Sequence, residues 1–157
     1  MKKALTLCLT LTLLALSACA PKYTTDIPIY DVADRAIASI DPNVHYVRAD
    51  RGYLDGYFPL SEEASAQEIY YATDGNNLDE FGIFYTDDPD DLADDLRDYL
   101  DDCLEENRTF YDSYIPEETP KLRDAEVRTF GNCVAYAILS PSHKKAFFDT
   151  LDETLRV

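Results

Sequence analysis

Two stretches of the chain follow one plan: strand, turn, strand, capping residue, proline, amphipathic helix. In the first, "QEIYYAT" at 67–73 is rich in β-formers. "DGNN" at 74–77 is a turn cluster, and "DEFGIFYT" at 79–86 alternates Phe81, Ile83 and Tyr85. Asp88 then stands as a cap with Pro89 at the first helical position. Leu92, Leu96, Tyr99 and Cys103 recur at steps of four and three, widened by Leu100 and Leu104, which predicts a helix over 88–110. In the second stretch "DAEVRTF" at 124–130 and "CVAYAILS" at 133–140 flank Gly131-Asn132, a two-residue hairpin turn. Ser140 caps, Pro141 starts, and apolar residues fall at 146, 147, 148, 151 and 155. The two stretches share a plan, not residues. The expectation is an α+β domain: an antiparallel sheet of about four strands built from two β-hairpin–helix units, with helices covering one face. N-terminal helices precede it. One is predicted over 31–40 from apolar residues at 32, 33, 36, 37 and 40, with Asp31 as cap. A shorter one over 48–58 gathers Tyr53, Leu54, Tyr57 and Phe58 before Pro59.

The N-terminus carries an address. Met1-Lys2-Lys3 is followed by "ALTLCLTLTLLALSA" at 4–18, which holds no charge. A basic start, an apolar stretch and small residues at its end form a signal-type pattern. Fifteen residues are short of the ~20 that a membrane span needs. The stretch ends Leu16-Ser17-Ala18-Cys19, which resembles the lipobox of bacterial lipoproteins. That resemblance implies cleavage before Cys19 and lipid on its sulfur, since a thiolate is the nucleophile such a transfer uses. The expected organisation is a signal peptide over 1–18, a lipidated tether over 19–30 and one domain over 31–157. Extended, the 11 residues after Cys19 would reach roughly 35 Å.

Charge narrows the partners. Without Lys2 and Lys3 the chain keeps 12 basic residues against 31 acidic ones, a net charge of −19. Nucleic acid is excluded as a partner, because cationic contacts to phosphate dominate that affinity. Lying flat on an anionic bilayer is disfavoured for the same reason. The expected attachment to the membrane is through the lipid alone, outside the cytoplasm. There a disulfide between Cys103 and Cys133 is allowed, although both also occupy apolar positions of their elements. No C-x-x-C motif suggests zinc or redox chemistry.

The segments "LDEFGIFYTDDPDDL" at 78–92, "FYDSYIPEETPKL" at 110–122 and "AEVRTFGNCVAYAI" at 125–138 resemble small lipoproteins of Gram-positive bacteria that carry a C-terminal domain of unknown function. Tyr114, Pro116 and Gly131 match that family's pattern, and the lipobox agrees with it. The resemblance implies lipid attachment at Cys19 and no catalytic residue.

Motifs of enzyme chemistry are missing. His45 and His143 lie in separate polar contexts, and the chain has no G-x-S-x-G elbow, H-E-x-x-H, G-x-G-x-x-G or phosphate-binding loop. The densest acidic run, Asp87–Glu106, holds 11 acids and one Arg in 20 residues. Its frame fails as a calcium loop, because Leu92 stands where glycine is required; the frame from Asp74 fails at Asp79. A solvated helix face or a docking face for a cationic partner remains. Twelve tyrosines and no tryptophan leave open an aromatic groove. The reading that follows is a non-enzymatic interaction or accessory module of the cell envelope, with an envelope protein as partner and no cofactor. The alternative is a lipoprotein binding a small ligand (glycan or peptide) or a divalent metal. An envelope hydrolase ranks third.

Overall fold

A computed structural model describes residues 21–54 and 63–157. The signal-type segment, Cys19 and the Tyr57-Phe58-Pro59 stretch lie outside them. The elements run α1 (Ile29–Ser39), β1 (Tyr46–Arg48), α2 (Arg51–Leu54), β2 (Ala66–Ala72), β3 (Glu80–Tyr85), α3 (Pro89–Tyr114), α4 (Thr119–Arg123), β4 (Glu126–Phe130), β5 (Cys133–Ile138) and α5 (Pro141–Leu155). The fold is α+β around a five-stranded sheet of order β1-β2-β3-β5-β4, with every pair antiparallel.

Both hairpin–helix units form. The Asp88 carboxylate accepts the Asp91 N–H, and Ser140 Oγ accepts the His143 N–H, each with proline opening the helix. The β4–β5 hairpin closes through Gly131-Asn132 with Phe130 opposite Cys133. Gly131 has φ 61°, and no described non-glycine residue has positive φ. Positive φ at the first turn residue alone is the type II′ pattern, whose twist matches that of the strands. The additional strand, β1, has only three residues, a length that blunts an exposed sheet edge.

One expectation is corrected: helices cover both faces of the sheet. Every residue of β3 and of β5 is buried. Phe81, Ile83, Cys133, Ala135 and Ala137 face a core shared with Val32, Ala33 and Ala36 of α1 and Phe147, Phe148, Leu151 and Leu155 of α5. Phe84, Val134, Tyr136 and Ile138 face the other way, onto Leu92, Ala93, Leu96 and Leu100 of α3. Central strands apolar at both parities need cover on both sides. Each fully buried Phe or Leu contributes about 1.5–3 kcal/mol relative to exposure. The first unit's helix therefore takes one face and the second unit's helix the other.

The tether expectation also changes for its described part. Thr24 donates its N–H to Leu155 O and Val157 donates to Lys22 O, both at 2.9 Å. The Tyr23 hydroxyl donates to Asp152 Oδ1 at 2.6 Å, and its ring meets Phe130 edge-on at 5.6 Å. Residues 22–24 thus dock against the end of α5, and α1 begins at Ile29, two residues before the expected Asp31 cap. The segment docks because its backbone pairs with the end of α5 and Tyr23 finds both an acceptor and an aromatic neighbour there.

Candidate functional site

The features with chemical potential gather on and beneath α3. Its buried stripe closes over the sheet at the start of β3, where two adjacent acids are buried. Asp79 is 2% exposed and Glu80 8%. Burying a carboxylate is costly unless it is hydrogen-bonded, so their partners are informative.

Asp79 accepts from the Tyr46 hydroxyl at 2.9 Å and from Lys121 Nζ at 2.7 Å. Lys121 also donates to Glu118 at 2.6 Å and to Asn77 at 3.1 Å, while Glu118 accepts the Leu78 N–H at 2.9 Å. This cluster fastens the β2–β3 loop to α4. Burial alone would lower the Lys121 pKa, but the hydrogen bonds to Asp79 and Glu118 outweigh it and raise the value. Burial, with Asp79 adding to it, likewise raises the Tyr46 hydroxyl. The cluster sets one lysine between two carboxylates and is structural.

Glu80 differs. Its Oε1 accepts the Tyr136 hydroxyl at 2.7 Å, and its Oε2 accepts the Tyr53 hydroxyl. Tyr136 reaches it because its ring lies across Gly82, its partner in the β3–β5 register. Tyr53, on the single turn α2, is held by a parallel stack on Tyr71 at 4.5 Å. Around this carboxylate opens a recess of about 130 Å³. Tyr53, Tyr99, Tyr111 and Cys103 surround Glu80 there, and Leu78, Leu122 and Ile138 supply its apolar wall. The aromatic rim is half-buried, so the recess meets solvent. Burial pushes the Cys103 thiol and the Tyr111 hydroxyl up, which keeps both protonated at neutral pH. A protonated thiol is a poor nucleophile.

The outer side of α3 is strongly acidic. Asp90, Asp91, Asp94, Asp98, Asp101, Asp102, Glu105 and Glu106 are all exposed, with Arg97 paired to Asp94 at 2.6 Å. Near the C-terminal end Phe110 and Tyr114, one turn apart, are 56% and 73% exposed with ring centroids 4.7 Å apart. At the N-terminal end an open cleft of about 350 Å³ is lined by Glu63, Ser65, Thr86, Asp87, Asp88 and Asp91. Burial and then the neighbouring Asp95, Asp91 and Asp88 raise the Glu63 carboxyl there. Among the described residues no group of three or more His, Cys, Asp or Glu side chains is placed to hold a metal ion.

The residues singled out in the sequence do not converge. Cys133 belongs to the α1–α5 core and Cys103 to the α3 side, so the sheet separates the two thiols and no disulfide joins them. Burial holds the Cys133 thiol up at about 12. His45 is exposed beside β1, and His143 sits half-buried in the first turn of α5. Cys19 lies outside the described residues. Glu80 escaped notice, although an acid that opens the otherwise apolar strand "EFGIFY" is a detectable signal. Its tyrosine neighbours come from 53, 99, 111 and 136, and no local pattern links them. No helix among the described residues is long and apolar enough to cross a membrane. Comparison with family models, curated proteins and solved structures finds no match.

Proposed function

We propose that the protein is an extracytoplasmic lipoprotein, attached to the membrane through lipid on Cys19, whose domain is a non-enzymatic interaction module of the cell envelope. The observation that carries the interaction reading is the pair of exposed rings, Phe110 and Tyr114, on a helix that bears nine exposed acids, Asp112 between the rings among them. A few residues dominate the binding energy of a protein interface and tyrosine is enriched among them, while acidic surroundings select a basic partner and speed its approach. The partner is accordingly an envelope protein with a cationic rim around an apolar pocket. The lipobox at Leu16–Cys19 supports the attachment and the compartment.

Two experiments test the two halves. Replacing Cys19 with Ser should abolish membrane fractionation; a variant that stays membrane-bound and normally processed defeats the lipoprotein reading. A photo-crosslinking residue at exposed Ser113 should give a discrete adduct in cells, lost on combining Phe110→Ser with Tyr114→Ser. The same probe at exposed Glu153 on α5 should give none. Indistinguishable patterns at the two positions would refute α3 as the contact surface.

A further inference from the structure

We infer that the Glu80 recess is a binding site for a small organic cation of the methylated-ammonium class, a site separate from the outer face of α3 and independent of any partner there. Four observations lead to it. First, the recess has a carboxylate at its base and three phenol rings, Tyr53, Tyr99 and Tyr111, around it. Ring faces carry negative electrostatic potential and attract cations within about 6 Å. A carboxylate adds a full negative charge in a partly desolvated place, where Coulomb attraction is stronger than in water.

Second, the donor set rejects other ligand classes. A divalent metal needs several oxygen ligands, six to eight for calcium, and the recess offers one carboxylate among phenols and hydrocarbon. An anion would meet Glu80. A neutral apolar guest would draw nothing from the charge of Glu80.

Third, the carboxylate's engagement sorts the cations. Each oxygen of Glu80 already accepts a phenol hydroxyl, one from Tyr136 and one from Tyr53. A guanidinium is bound best by a carboxylate that offers both oxygens as a fork, and here that fork is taken. A primary ammonium brings three N–H donors, each wanting an acceptor. A methylated ammonium brings charge without donors, and its methyl groups suit the rings and the apolar wall of Leu78, Leu122 and Ile138.

Fourth, the size agrees. A cavity of roughly 150 Å³ admits benzene, a six-atom guest. The recess, at about 130 Å³, is of that order and opens to solvent, so a tetramethylammonium ion or the head of choline can enter it with part of its surface left outside. The net charge of −17 raises the local concentration of any such cation. The head group could come from a free solute or from a lipid; the chemistry read by the site is the same.

The test uses the full chain in a maltoside detergent, which lacks choline head groups. Choline and tetramethylammonium chloride should raise the melting temperature, saturating at or below the millimolar range, beyond the effect of NaCl at equal ionic strength. The uncharged isostere 3,3-dimethylbutan-1-ol should not. The choline N-methyl proton signal should move upfield on binding, as ring currents require. Glu80→Gln should weaken binding at least tenfold. Because that variant also alters a buried hydrogen-bond pair, Tyr111→Leu serves as the second: folded by circular dichroism, it should bind several-fold more weakly. Phosphatidylcholine vesicles that compete with choline would assign the lipid source; vesicles that fail to compete would assign the free solute. No shift up to 50 mM choline, or an equal shift from the neutral isostere, overturns the proposal.

Discussion

Gly82 is where the fold and the recess depend on the same missing atom. It pairs with Tyr136 on one side and Ile69 on the other, in the middle of the sheet. A Cβ built there would stand 2.8 Å from Phe84 Cε2 and 3.0 Å from Tyr136 Cδ1, and closer still to Tyr136 Cε1. Real Cβ contacts essentially never fall so short. The Tyr136 ring cannot retreat freely, because its hydroxyl is bonded to Glu80 and its edge packs on Tyr99 at 6.2 Å. Gly82→Ala would gain about 0.4–1 kcal/mol by restricting the unfolded chain. Against this stand about 1–3 kcal/mol for overpacking and about 1–3 kcal/mol if the displaced ring leaves Glu80 without its donor. The expected net loss is about 1–5 kcal/mol. Urea unfolding followed by far-ultraviolet circular dichroism measures it. Tyr136→Leu removes the ring, so the combined variant should lose clearly less than the sum of the two single losses, a coupling of at least 1 kcal/mol. A Gly82→Ala protein within 0.5 kcal/mol of the parent, or strictly additive losses, would refute the reasoning.

Three further outcomes are expected. Gly131→Val forces a β-branched residue to φ 61° and against Tyr23 Cβ at 3.2 Å, so about 2 kcal/mol should be lost in denaturant titration, while Gly131→Asn, which meets the same contact without the β-branch, should lose less. Native-state alkylation followed by peptide mass spectrometry should label Cys103, at the mouth of the recess, well before Cys133, whose labelling should track global unfolding; comparable fast labelling of both would place Cys133 wrongly. Stability should fall at alkaline pH: burial raises the Tyr85 hydroxyl and the Cys133 thiol to about 12, so the folded state holds protons that the unfolded chain releases from about pH 9 upward. The urea midpoint should therefore hold up to about pH 9 and decline toward 12; a midpoint flat to pH 11 would contradict the burial of both groups.

Local signals in the sequence were enough for local structure. Asp88-Pro89 and Ser140-Pro141 start their helices as the residue chemistry requires, and Gly131-Asn132 turns the hairpin. What was misread depended on partners far along the chain. The β1 strand has three residues and exists because β2 offers it an edge, with Tyr46 opposite Ala72. Cover on both faces was in principle readable, since "CVAYAI" is apolar at both parities, as strands buried on both sides are. The alternation of Phe81, Ile83 and Tyr85 suggested one buried face because Glu80 and Gly82 occupy the other parity. Those two residues are the ones that make room for Tyr136 and the recess. The site thus disguised the strand that carries it.

The docking of residues 22–24 bears on how the proposed anchor would work. On the lipoprotein reading, Cys19 lies three residues before Lys22, whose carbonyl is bonded to the Val157 N–H. Three residues reach about 10 Å, against roughly 35 Å for an undocked tether. The lipid would then hold the end of α5 and the Gly131 turn beside the bilayer surface instead of letting the domain tumble. Phe130, which packs on Tyr23, belongs to the core on the α1–α5 side of the sheet, while α3 covers the opposite side. The docked residues 22–24 and the acidic helix are therefore separated by the sheet. An acidic surface close to anionic lipid is repelled, with an effect that fades within a Debye length of about 8 Å at physiological salt. On that reading, an anchor across the sheet from α3 would let the domain sit near the membrane while its most acidic element, the exposed Phe110–Tyr114 pair and the Glu80 recess beneath α3 stay on the side opposite residues 22–24.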